Sequence, residues 1–244
     1  YAGVIRDFLV LGNIDEAVSR VQWSGFNNIE IWGSDLSTQT DFQTLDSAWG
    51  QVQRIVPGET GLVFQERAIW RMTYVGPPTI FRFDLIEKNR GAAAPWSVVW
   101  HGETVFFYAW DGFHMKQGNG PSVPIGEQKI DLWFKDDASE SSIPEMRGTY
   151  DAVENVVYWS YFSKRDQVHK ILAYKVELGK WGLVAPPGGA ASFINRFTTV
   201  LTDPDEFSAN VPTGVTGDPL GECRQLDVEK TDLQSVNRHA AGIE

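Results

Sequence analysis

Cysteine is nearly absent. Cys223 is the single one in 244 residues, so no internal disulfide can form and a stapled secreted scaffold is excluded. No run of about 18 apolar residues occurs, so no segment reads as a membrane-spanning helix, and no signal-peptide pattern is present. Histidine is sparse as well. His101, His114, His169 and His239 stand apart, with no pair at the i, i+2 or i, i+4 spacing that brings two imidazoles to one metal. Each reads as a turn or surface residue. Positive charge is scarce, with 21 Lys and Arg against 32 Asp and Glu and a formal charge of −11. Such a body lacks the clustered cations that stable nucleic-acid binding needs, although DNA could slide past it without sticking.

The motifs of common catalytic and cofactor sites are missing too. Gly118-x-Gly120 runs into Pro121 rather than a helix, so it is not a dinucleotide fingerprint. No glycine-lysine phosphate loop and no Gly-x-Ser-x-Gly elbow occurs, and Cys223, between Glu222 and Arg224, carries no nucleophile signature. Asp136-Asp137 and Asp203-Pro204-Asp205-Glu206 lack the spaced Asp/Asn-Gly pattern of a calcium loop and read as solvated loop acids. A glycosidase needs two carboxylates at a set separation. Glu66, Asp84, Glu103, Asp111 and Asp151 are acids of the kind found in the turns of any β protein. No catalytic, cofactor-binding or metal-ligating residue is assigned, and no cofactor is expected.

Aromatics are abundant, at 13% with ten Trp. Wide rings suit the inner faces of packed sheets, the favoured reading, and subunit interfaces, the other. Trp49, Trp96 and Trp110 could stack sugar rings, and packing within sheets accounts for them equally. The aromatic strands also recur. Arg20-Val21-Gln22-Trp23, Gly61-Leu62-Val63-Phe64, Thr104-Val105-Phe106-Phe107 and Asn155-Val156-Val157-Tyr158-Trp159 follow one another at intervals of about 41, 43 and 52 residues, the period of a four-stranded propeller blade.

The first repeat is expected to continue through Ile29-Glu30-Ile31-Trp32, with Leu36 to Asp46 an exposed loop. The second holds four strands between Val52 and Leu85, broken at Pro57-Gly58, Glu66-Arg67 and Gly76-Pro77-Pro78. In the third, Asp111-Gly112 is a hairpin turn with positive φ expected at both residues. The fourth turns at Ser163-Lys164-Arg165-Asp166 and ends near Trp181. A short helix is expected within Gly126–Lys135, where Ile130, Trp133 and Phe134 share helical spacing. The spacing thus predicts an all-β, propeller-like body of about four blades over 1–184, short of a full ring. Residues 185–244, rich in Pro, Gly and Thr with strand signal only at Phe197–Leu201 and Arg224–Val228, read as a loop-rich arm.

Three segments, Arg20-Val21-Gln22-Trp23-Ser24, Gly61-Leu62-Val63-Phe64-Gln65-Glu66-Arg67-Ala68-Ile69-Trp70 and Phe107-Tyr108-Ala109-Trp110-Asp111-Gly112-Phe113, carry a further likeness. Through them the chain resembles bacteriophage virion proteins, the propeller-like tail nozzle or hub proteins, over about residues 15–184. The resemblance implies a non-enzymatic structural role in the virion. It implies a homo-oligomeric ring that contacts other tail or connector proteins and forms part of the DNA-ejection conduit, without stable nucleic-acid binding or a membrane segment. The alternative is a carbohydrate-binding or glycan-cleaving propeller.

Overall fold

The computed structural model describes residues 1–184 and, beyond them, the backbone of three strands within 196–225. The chain divides into two compact units, Tyr1–Ala93 with Ala109–Asp111, and Ala94–Tyr108 with Gly112–Glu244. It is all-β, with four four-stranded antiparallel sheets, one three-stranded sheet and a single short α-helix among the described residues.

The first unit holds two meanders. One is β1 (Ala2–Ile5), β2 (Phe8–Ile14), β3 (Ala17–Trp23) and β4 (Asp41–Thr44), paired in chain order. Along β3 the alternation is clean, with Ser19, Val21 and Trp23 buried between less buried neighbours, as a strand with one face on a core requires. The expected strand at Ile29–Trp32 does not form, and β4 occupies the stretch read as loop. The cause is local hydrogen bonding. The Asn28 side chain takes the Glu30 N–H (3.0 Å), Asp35 takes the Ser37 N–H (2.9 Å), and Phe26 N–H donates to the Thr38 carbonyl (3.0 Å). Such bonds offer the backbone an alternative to a ladder.

The second meander, β5 (Val52–Val56), β6 (Thr60–Gln65), β7 (Ala68–Gly76) and β8 (Ile80–Lys88), follows the expected four strands, turning at Glu66-Arg67. β1 lies beside β5, joined through a parallel bridge between Ile5 and Gly58. Glycine permits this approach, since a Cβ on Gly61 would fall 2.0 Å from Ile5 Cδ1. Phe8, with Phe81 at 5.0 Å and Tyr74 at 5.6 Å between ring centroids, lies at the centre of the packed aromatics.

The chain leaves β8 through Gly91, where a Cβ would lie 2.0 Å from the Gln65 carbonyl oxygen and 2.8 Å from the Arg67 and Ala68 amide nitrogens. These are backbone atoms of a sheet and cannot swing aside. Gly91→Ala is expected to destabilise the chain by about 1–3 kcal/mol in urea denaturation. A loss below about 0.5 kcal/mol, the range of ordinary surface changes, would mean the connector shifts freely.

The second unit carries β9 (Val99–His101), β10 (Thr104–Ala109), β11 (Gly112–Gln117) and β12 (Ser122–Pro124), then β13 (Arg147–Asp151), β14 (Val156–Ser163), β15 (Val168–Lys175) and β16 (Lys180–Val184). The residue Ala109 at the end of β10 is counted with the first unit. Between these meanders lies the helix α1 (Asp131–Asp137). It starts later than expected because the Gly126 carbonyl first collects the N–H groups of Lys129, Ile130 and Asp131 in a tight turn. At the β10–β11 turn only Gly112 has positive φ (143°), so Asp111 departs from expectation. The turn residues are Trp110 and Asp111, and Gly112 opens β11 against the Asp131 carboxylate, which takes the Phe113 N–H at 3.1 Å.

The core of this unit is aromatic. Phe113 sits 4.9 Å from both Trp159 and Trp181, whose rings stack at 5.6 Å. The indole N–H groups reach the Ser97 and Ile125 carbonyls at 2.9 and 3.0 Å. A third sheet, β17 (Arg196–Leu201), β18 (Pro212–Gly217) and β19 (Cys223–Gln225), follows. β17 falls where strand signal was read. β18 falls in a stretch read as loop, with Pro212 at its first position, where strands tolerate proline. The remainder of the 185–244 arm lies outside the described residues.

Candidate functional site

Among the described residues, a dense cluster of ionisable and hydroxyl side chains joins α1 to the β14–β15 hairpin. Its construction follows from strand register. Tyr161 on β14 pairs directly with Lys170 on β15, so the two share a sheet face, and Ser163, two residues on, shares it too. The last helical residue, Asp137, is fully buried over that face. Tyr161 Oη donates to Asp137 Oδ2 (2.7 Å), Ser163 Oγ donates to Oδ1 (2.8 Å), and Lys170 Nζ reaches both oxygens at 3.0 and 3.2 Å. Asp166 adds a second carboxylate on Lys170, and the Trp133 ring lies 5.6 Å from the ammonium. The backbone locks the same junction, with Lys164 N–H on the Asp137 carbonyl (2.7 Å) and Ser139 N–H on that of Phe162 (3.0 Å).

Burial alone would push the Asp137 carboxyl up, but the hydrogen bonds from Tyr161, Lys170 and Ser163 outweigh it and hold the group below the usual aspartate range. Tyr161 is driven the opposite way, up, by burial and then by its bond to the Asp137 carboxylate. Asp137 is therefore a carboxylate and Tyr161 a neutral phenol, and the carboxylate's acceptor sites are filled by Tyr161, Ser163 and Lys170. That is the chemistry of a clamp. The sequence suggests solvated loop acids at Asp136-Asp137; Asp137 is instead fully buried, because Tyr161, Ser163 and Lys170 supply the donors its carboxylate needs. Asp136 stays exposed in an ion pair with Arg165.

The other acids are held separately. Glu66 accepts from Gln53 (3.3 Å) and Asp84 from Arg71 and Arg82 (both 3.2 Å). Those hydrogen bonds, led by Arg71, set the Asp84 carboxyl below its ordinary value. Asp111 accepts from Arg90 at 2.8 Å. Asp151 caps its own turn, taking the N–H groups of Val153 and Glu154 at 2.9 and 3.1 Å. Glu103 lies in the β9–β10 turn. Among the described residues no group of three or more His, Cys, Asp or Glu is placed to hold a metal ion, and no helix is long and apolar enough to cross a membrane.

Of the histidines, His101 stacks on Tyr150 at 4.5 Å, and burial lowers the pKa of His169. His114 departs from the surface reading: it is buried in β11, its Nδ1–H donating to the Gly112 carbonyl at 2.9 Å. His239 and Asp203–Glu206 lie outside the described residues, and of Cys223 only the strand backbone is described. Trp49 is half-buried in a short 3-10 turn, Ser47–Trp49. Trp96 and Trp110 are open to solvent, so packing in a core does not account for them.

One more constellation was not read from the sequence. Gln39 accepts from Trp23 Nε1 at its carbonyl (3.0 Å) and from Tyr74 Oη at its side-chain oxygen (2.7 Å). It ties the loop between β3 and β4 to both sheets of the first unit. Its positive φ of 59° suits a residue placed for its bonds rather than for extended structure.

No family model matches the chain, and no curated protein matches it. Among solved structures, the crystal structure of TolB from Acinetobacter baumannii aligns with 14% identity and a TM-score of 0.44, covering 90% of this chain and 51% of that one. The chain thus spans about half that protein's length. At that likeness the pairing fixes neither family nor ligand.

Proposed function

We propose that the chain is a non-enzymatic structural component of a bacteriophage virion. It is a propeller-type tail nozzle, hub or connector protein that self-associates into a ring around the DNA-ejection path. The observation that carries this reading is modular repetition. Four consecutive meanders pair in chain order, and within each unit the first strands of successive meanders lie side by side. β1 meets β5 through the Ile5–Gly58 bridge, and a Cβ on Gly148 of β13 would lie 2.5 Å from Val99 of β9. First-strand adjacency of this kind is how propeller blades are arranged.

The chemistry supports a scaffold. The polar cluster around Asp137 is neutralised internally, and the acidic balance of −11 opposes adhesion of passing phosphates. Closed symmetry lets one gene product line a conduit. Native mass spectrometry of the purified chain is expected to show a closed homo-oligomer, and a stable monomer at all concentrations would sink the proposal.

The exposed rings of Trp110 in the first unit and Trp96 in the second favour one second reading, glycan binding on either exposed ring. Screening glycans by tryptophan fluorescence decides it. Quenching that disappears in Trp96→Ala or Trp110→Ala supports that reading, and no response to any glycan removes it.

A further inference from the structure

Both units expose large apolar side chains, and the two surfaces differ in the charge around them. In the first unit the loop at 24–40 leaves Phe26, Ile29 and Leu36 in solvent, with Ile29 65% and Leu36 53% exposed. The loop is firmly built. Gly25 N–H donates to the Ile31 carbonyl (2.9 Å), Phe26 N–H to that of Thr38 (3.0 Å), and Gln39 anchors the loop to Trp23 and Tyr74. A preorganised apolar surface of this kind marks a contact site. Glu30 and Asp35 belong to this loop, Asp41 opens β4 directly after it, and no Lys or Arg occurs between Arg20 and Arg54.

In the second unit Leu132 is 82% exposed on α1. Lys135 follows it by three residues, about one helical turn, and Lys129 precedes it in the turn that leads into the helix. Lys164 Nζ donates to the Lys135 carbonyl at 3.2 Å, and Lys129 Nζ to that of Gly179 at 3.2 Å. Arg165 is held at the end of the helix by Asp136. This surface is an apolar knob with Lys129, Lys135, Lys164 and Arg165 around it against the exposed acids Glu127 and Asp136, so its surround is net positive.

We propose that the acidic loop of one copy receives the Leu132 face of α1 from the next copy, head to tail. The inference rests on the self-association proposed above and names its surfaces. Charge selects the pairing. Two loops face to face would set Glu30 and Asp35 against their own copies, whereas loop against helix sets carboxylates against ammonium groups and suppresses the wrong register. A head-to-tail contact leaves one unsatisfied surface at each end, so it adds copies and closes into a ring where the rotation between copies permits.

Sedimentation velocity on the full chain tests this. Ile29→Ser with Leu36→Ser, and separately Leu132→Ser, are each expected to weaken association about tenfold or more. Thermal unfolding should change little, because these side chains are exposed. Mixed in equal amounts, the loop variant and the helix variant keep one good surface each, so they are expected to form a dimer and stop. Glu30→Lys should weaken assembly, and Lys129→Glu added to the same chain should restore it.

If every variant assembles like the wild type, the contact lies elsewhere and this inference falls, while the proposed assembly stands. A monomeric wild type overturns both.

Discussion

Asp137→Ala is expected to lower the unfolding free energy by about 3–5 kcal/mol, the range for breaking a buried ion pair by removing one partner. The substitution removes little volume but leaves the buried Tyr161 and Ser163 hydroxyls without their acceptor and Lys170 with Asp166 as its remaining carboxylate. Asp137→Asn keeps one acceptor oxygen and should fall between the two. Converting the pair together, Asp137→Leu with Lys170→Met, should recover part of the loss, because apolar groups of similar size avoid the desolvation that the ions require. The pH dependence follows from the lowered carboxyl pKa. As pH falls, the unfolded chain takes up this proton first. The clamp's contribution is therefore complete above the ordinary aspartate range, near pH 4, and is lost as pH falls through the depressed folded value. Urea midpoints measured from neutral to acid pH should show this component in the wild type and not in Asp137→Asn. If Asp137→Ala stays within about 1 kcal/mol of wild type, the cluster is no clamp.

The meanders were legible because period-2 alternation and Gly/Pro breaks are local signals. Val52 to Lys88 is the clearest case: each turn falls where Pro57-Gly58, Glu66-Arg67 and Gly76-Pro77-Pro78 placed it. The first repeat was misaligned. Trp23 lies on the third strand of its sheet, whereas Phe64, Phe107 and Trp159 lie on second strands. The true counterpart is β2, where Phe8 and Val10 are buried. Apolar alternation marks a strand but not its rank in a sheet. Asp137 was misjudged for a related reason. Its neighbour Asp136 is exposed, whereas Asp137 shares the helical face of Ile130, Trp133 and Phe134; that spacing signals burial but not the partners, which come from a hairpin more than twenty residues on. The signal was present in the partner instead. Tyr161-x-Ser163 places two polar groups on one face of an otherwise buried strand, with Lys170 beside them on the paired strand, and such groups require an acceptor. Gln39 gave no such signal, because its role depends on two rings that only folding brings to it.

Trp159→Ala should cost about 3–5 kcal/mol, the range for deleting a large buried ring. Two roles meet in this side chain. Its ring fills the space between Phe113 and Trp181, and its N–H donates to the Ser97 carbonyl. Ser97 is a junction in its own right, its hydroxyl donating to the Ala94 carbonyl (2.8 Å) and accepting from Tyr108 N–H (3.1 Å). Trp159→Phe separates the roles. It retains most of the ring but leaves the Ser97 carbonyl without that donor, and should cost about 1–3 kcal/mol. Trp110→Ala, on an exposed turn, should change stability by no more than about 0.5 kcal/mol. Urea denaturation of the three variants orders them. Because Trp159 belongs to β14 and Ser97 to the turn before β9, this hydrogen bond links two successive meanders. Its loss should fall on the cooperative unfolding of the second unit rather than on one sheet, so hydrogen exchange should rise in β9–β11 as well as in β13–β16. Exchange that rises only around β14 would mean the meanders are stable one by one, and the aromatic repeats would then be cores of separate sheets rather than the joint between them.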